Sequence, residues 1–104
     1  MNISTPVSPD EKLHLLACAR EGSTLMRAMS HEGRLLICCH LMEGERSVSE
    51  LEALLDMRQS AVSQQLSRLR QDRIVDSRRE GKTIWYRLTC PKARALMHAM
   101  YRIL

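Results

Sequence analysis

The chemically most reactive side chains in this sequence are four thiols, Cys18, Cys38, Cys39 and Cys90. None belongs to a C-x-x-C pair, so the spacing describes neither a zinc finger nor a thioredoxin-type dithiol. Cys38 and Cys39 are adjacent, and adjacent side chains on a helix point about 100° apart, so a disulfide between them would require the helix to break. Each thiol therefore reads as a small buried hydrophobe or as a reactive sulfur whose partner lies elsewhere. His14 and Cys18 stand four residues apart, which gives two ligands where a closed tetrahedral metal site needs about four. Cys39 beside His40 is not a nucleophile and base, because the two diverge and no third group is in register to orient the imidazole. Glycine-rich phosphate loops and paired-carboxylate motifs are missing, so the expectation is no enzyme and no cofactor.

The second chemical feature is cationic. Residues 57 to 87 hold Arg58, Arg68, Arg70, Arg73, Arg78, Arg79, Lys82 and Arg87 against Asp72, Asp76 and Glu80, a net +5 in a chain whose formal charge is +4. The remainder is therefore slightly acidic. A helix over about 58 to 72 places Val62, Leu66 and Leu69 on one face and Ser60, Ser63, Gln64, Ser67, Arg68 and Gln71 on the other. An ordinary solvated face would carry Glu and Lys in i,i+4 pairs, and this one has neither. Serine, glutamine and arginine can donate to phosphates and base edges without repelling the backbone. Gln59, Ser60, Ser63, Gln64, Ser67 and Arg68 are accordingly the candidate DNA contacts of a recognition helix. Arg78, Arg79 and Lys82 surround a Gly81 turn, where long cations suit phosphates or the minor groove; the alternative is a charged edge that blocks strand aggregation.

These residues need elements to position them. With 104 residues, 44% hydrophobic, 3% aromatic and no Phe, the chain fits one domain whose core is built from aliphatic and Met side chains, which favours helix. Residues 1 to 7 are expected to be disordered and 8 to 104 to form the domain. Ser8, Pro9 and Glu11 make a capping box that opens a first helix with Leu13, Leu16, Ala17 and Cys18 as its apolar stripe. Ser30 is the expected cap of a second helix over about 31 to 43, with Leu35, Cys38, Cys39 and Met42 inward and Gly44 as its stop. Ser47-Val48-Ser49-Glu50 is another capping box; its short helix, a break at Asp56 and Met57, and the recognition helix form a helix-turn-helix. Residues 74 to 79 and 83 to 88 read as a β-hairpin, with Trp85 and Tyr86 on opposite faces so that at least one packs on the core. Pro91 starts a last helix carrying Leu96, Met97, Met100, Tyr101 and Leu104, and Cys90 is its expected cap. The fold class is mainly α with a β-hairpin wing, a winged helix-turn-helix. No apolar run is long enough to span a bilayer and the N-terminus has no signal-peptide pattern, so the expectation is cytoplasmic with no membrane partner.

The sequence resembles the ArsR/SmtB family of bacterial winged-helix repressors over about residues 25 to 104. The resemblance is carried by Ala28-Met29-Ser30-His31 with Arg34-Leu35-Leu36-Ile37, by Ser47-Val48-Ser49-Glu50-Leu51, by the run from Gln59 to Arg70, and by Arg78-Arg79-Glu80-Gly81-Lys82 with Tyr86-Arg87-Leu88. It implies a homodimer formed by the first and last helices on double-stranded operator DNA. Metal-sensing members use a C-x-C at the third helix or Asp and His in the last; here Ser47-Val48-Ser49 and a lone His98 stand at those places. The nearer resemblance is to the sulfide- and redox-responsive branch that includes BigR, SqrR and HlyU proteins. Arg34-Leu35-Leu36-Ile37-Cys38-Cys39 puts Cys39 at that branch's reactive position, which makes it the redox-sensing candidate, with a reactive sulfur species or oxidant as effector. The branch's second thiol would fall immediately after Leu104. Whether Cys18, Cys38, Cys90 or that further residue is the partner is open at this point, as are two competing functions: a metal-responsive repressor of the same family, and a winged-helix interaction module without sensing.

Overall fold

The computed structural model describes residues 8 to 104, and the expected disorder of 1 to 7 lies outside the described residues. Helix α1 (Pro9–Met29) starts at the anticipated reciprocal cap, Ser8 accepting from the Glu11 amide and the Glu11 carboxylate accepting from the Ser8 amide. It runs past Gly22 without a break. Its expected stripe, Leu13, Leu16, Ala17 and Cys18, stays exposed, and only Ala28 and Met29 at its end enter the core.

Helix α2 (Glu32–Met42) is capped by His31 rather than Ser30. Because α1 extends to Met29, Ser30 closes that helix, its amide donating to the Arg27 carbonyl, and the extended backbone falls on His31. The His31 Nδ1 accepts from the Gly33 amide at 3.0 Å. A Cβ at Gly33 would meet that ring at 3.2 Å, so a larger residue there would push the capping imidazole aside by a few tenths of an ångström. The inward face of α2 is also rotated by one residue from the expected one: Ile37, Cys38 and Leu41 are buried, while Leu35, Cys39 and Met42 are half-buried at its margin.

A two-residue strand β1 (Arg46–Ser47), not anticipated from the sequence, leads directly into α3 (Val48–Leu55), whose capping box joins Ser47 and Glu50. Asp56 takes a left-handed backbone (φ 52°) and turns the chain into α4 (Gln59–Gln71). Strands β2 (Val75–Glu80) and β3 (Thr83–Leu88) form the hairpin, with Gly81 at φ +63° in its two-residue turn. The sheet order is β1-β3-β2, antiparallel throughout. Helix α5 (Pro91–Ile103) is capped by Cys90 as expected, its sulfur accepting from the Ala93 amide at 3.4 Å.

The core gathers Ile37, Cys38 and Leu41 of α2, Leu51 of α3, Val62, Leu66 and Leu69 of α4, Val75 and Leu88 of the hairpin, and Ala93 and Met97 of α5. The anticipated inward face of α4 is the observed one. Tyr86 packs against this cluster, which leaves Trp85 on the outer face of the sheet. This arrangement is a winged helix-turn-helix. No described helix is long and apolar enough to cross a membrane.

Candidate nucleic-acid interface and thiol site

The burial of Val62, Leu66 and Leu69 forces the opposite side of α4 outward. Gln59, Ser60, Gln64, Ser67 and Arg68 are exposed there, and Ser63 is half-buried at the edge of the same face. The helix begins with no side-chain cap at Arg58 and no acid in its first turn. Its surface is thus rich in hydrogen-bonding groups and free of carboxylates until Asp72, which pairs with Arg68 at 2.8 Å. That ion pair lies near the C-terminal end, away from the serines and glutamines at the start.

Gln65, absent from the candidates above, does different work. Its Oε1 accepts from Arg34 at 3.1 Å and its amide nitrogen lies 3.4 Å from His31 Nε2. Arg34 also donates to the carbonyls of Ala28 (2.6 Å) and Arg27 (3.4 Å). One half-buried arginine therefore ties the end of α1 and the helix α2 to the middle of α4. Sequence reasoning missed this set because the partners lie 31 residues apart, although the arginine itself was part of the resemblance.

The wing residues separate into two kinds. Arg79 and Lys82 are exposed, and no carboxylate lies within ion-pair distance of either among the described residues. Arg78 is not at the tip but inside β2, opposite Trp85. Its guanidinium contacts both carboxylate oxygens of Glu45 at 2.9 and 2.6 Å, reaches Glu80 at 2.6 Å, and stands 5.8 Å from the centre of the Trp85 ring. Hydrogen bonding to Arg78 holds the Glu45 carboxyl below its usual range, and the same contacts push Arg78 up.

The thiols occupy distinct surroundings. Cys38 is fully buried, and burial first, then the neighbouring Cys39 and Cys90, pushes its thiol up to about 12 against the opposing pull of Arg34. Such a thiol stays protonated and is a poor nucleophile at neutral pH. Cys39, one residue on, is half-buried, and its proximity raises the Tyr101 hydroxyl of α5 above its ordinary range. Cys90 is occupied as a helix cap. Cys18 is exposed, with His14 Nε2 3.6 Å from its sulfur. No group of three or more His, Cys, Asp or Glu that could hold a metal ion occurs among the described residues.

Comparison with known proteins agrees with this architecture. Residues 31–77 match the family model described as bacterial regulatory protein, arsR family. The biofilm growth-associated repressor of Agrobacterium fabrum is 51% identical over 82% of this chain and 73% of its own length. The transcriptional activator HlyU of Vibrio cholerae is 40% identical over 76% of this chain and 73% of its own length. Among solved structures, the transcriptional repressor BigR from Xylella fastidiosa superposes with a TM-score of 0.85 at 43% identity, covering 89% of this chain and 95% of that one. These relatives are regulators of transcription, not enzymes.

Proposed function

Since this chain belongs to the ArsR family of bacterial regulatory proteins, we propose that it is a dimeric repressor whose hold on operator DNA is released by modification of Cys39. The observation that carries the DNA half is the outward face of α4, acid-free over its first three turns and presented by the second helix of a helix-turn-helix. A helix presented in this way fits the major groove, with Gln59, Ser60, Ser63, Gln64 and Ser67 toward base edges and phosphates, Arg68 toward the backbone, and Arg79 and Lys82 of the wing toward the flanking phosphates. The names of the relatives as repressors support repression as the outcome.

Two copies are needed because operator half-sites lie about 34 Å apart, one DNA turn, and a two-fold protein matches them. The exposed apolar side chains of α1 (Leu13, Leu16, Met26) and of α5 with its C-cap (Tyr101, Ile103, Leu104) are the faces that would meet. Between them lies a groove of about 410 Å³ lined by Met26, Leu35, Leu96 and Met100.

Cys39 sits where α2 meets α5, against Tyr101. Its thiolate attacks a sulfane sulfur of a polysulfide, forms a Cys39 persulfide and expels the shortened polysulfide as leaving group. The added sulfur displaces the Tyr101 hydroxyl, so α5 shifts, and with it the dimer face and the spacing of the two recognition helices. A coupling of about 1–3 kcal/mol, 5- to 150-fold in affinity, is enough for regulation.

The deciding experiment measures DNA affinity of wild type and Cys39→Ser with and without polysulfide. Wild type loses affinity on treatment, and the variant holds the untreated wild-type value; a variant that still switches overturns the sensor. Mass spectrometry of thiols labelled with iodoacetamide at pH 8 provides a companion check. Cys39 is modified well before Cys38, and equal labelling would contradict the assigned roles.

A further inference from the structure

We infer that Arg78 is a positioning residue that locks the wing to the body of the protein and makes no contact with DNA phosphate. The inference rests on the DNA-binding reading above and alters which wing residues carry it. Arg78, Arg79 and Lys82 look equivalent as charges, but strand register separates them. Arg79 pairs with Ile84 on the face that continues to Tyr86 and the core, whereas Arg78 pairs with Trp85 on the outer face.

Val75, Tyr86 and Leu88 anchor the base of the hairpin in the core, so it is toward the turn that a further brace is needed. Strand β1 bonds only to Trp85 and Tyr86 of β3, so β2 and the turn have no sheet neighbour other than β3. Arg78 supplies the missing brace. From β2 it passes over the Trp85 ring in β3 and closes a two-pronged contact on Glu45, one residue before β1. A single side chain thereby links β2 and β3 to the residue that leads into β1.

This geometry engages three of the five N–H donors of the guanidinium. A bidentate carboxylate fills one edge of the fork, Glu80 takes another donor, and the flat face lies toward indole. Two carboxylates around one cation also leave this part of the outer face without surplus positive charge. To reach a phosphate, Arg78 would have to abandon Glu45 and uncover the half-buried Trp85.

The test uses the full-length protein and a duplex obtained by in vitro selection against wild type, with affinity measured across a range of salt. Arg79→Met and Lys82→Met each flatten the slope of log affinity on log salt by about 1.8 in a dimer, two lost phosphate contacts at about 0.9 each. Arg78→Met weakens binding at every salt concentration by about fivefold, the lower end of ordinary coupling, and leaves the slope unchanged. Glu45→Gln, which removes negative charge and is the milder change to folding, gives the same pattern as Arg78→Met.

The sign of the Glu45→Gln effect is the sharpest outcome. If Arg78 is a phosphate contact masked by Glu45, this variant tightens binding and steepens the slope, and Arg78→Met flattens it by about 1.8; either result overturns the proposal. Trp85, the single tryptophan, supplies an optical reading. Its emission changes in free Arg78→Met and Glu45→Gln but holds nearly constant when wild type binds the duplex; a shift of bound wild type toward the Arg78→Met spectrum also overturns it. Failure of wild type to select or bind any duplex would instead defeat the DNA-binding reading itself, a result separable from all of these.

Discussion

Helices α3 and α4 are the two halves of one helix-turn-helix, yet their ends are built on opposite plans. Helix α3 opens with a complete capping box between Ser47 and Glu50, an acid in its first turn and a buried cap residue. Helix α4 opens at Arg58 with no side-chain cap and no acid in its first turn. Ser, Thr, Asp or Asn just before the first helical residue is the usual stabilising choice, and a carboxylate in the first turn favours the helix dipole. α3 takes these gains, while α4 omits them and keeps a surface that repels no phosphate. The contrast separates a helix that supports from a helix that reads: α3 is optimised locally, whereas α4 draws its stability from Val62, Leu66 and Leu69 beneath it.

Five substitutions probe that division. The largest effect is expected at Leu66→Ala, which opens a cavity under α4 and costs about 2–5 kcal/mol in chemical denaturation. Leu54→Ala on α3, at a side chain 46% exposed, costs less than about 0.5 kcal/mol, and equal losses would erase the distinction. Next comes Gln64→Ala, which lowers discrimination between the preferred base pair and its alternatives by about 1–3 kcal/mol in competition binding. The Leu54→Ala protein keeps the wild-type base preference; a preference altered in both would mean that α3 reads DNA as well. Ser47→Ala removes the α3 cap and lowers stability by about 1 kcal/mol, seen as an earlier unfolding midpoint. Smallest is Arg58→Ser, which supplies the missing cap to α4 and raises stability by about 0.5 kcal/mol while weakening DNA binding. If both stability and affinity rise, the open start of α4 has no link to function.

Much of this was legible before any coordinates, because it is local. The caps at Ser8 and Ser47, the inward face of α4, the turn at Gly81 and the Cys90 cap each follow from residues within about a turn of one another. Expectation and structure part where a neighbour decides: α2 is capped by His31 and not by the expected Ser30, because α1 runs on to Met29 and Ser30 closes it. Strand β1 is too short for periodicity to register and exists only because β3 is beside it. The Arg78 brace and the Gln65–Arg34 link join residues 33 and 31 apart, and no pattern along the chain announces either. Charge counting located the cationic region correctly but could not say which of its arginines had already been claimed.

Helix α1 is largely bare in a single protomer. Twenty-one residues long, it buries only Ala28 and Met29 within its own protomer. With a second copy as the proposed cover for the rest, folding and association share one equilibrium, so thermal stability rises with protein concentration by mass action. A scarce protomer leaves its first helix bare to proteases, whereas an abundant one is protected. The cell's rate of synthesis then acts on this protein twice, setting both how many chains exist and how long each survives.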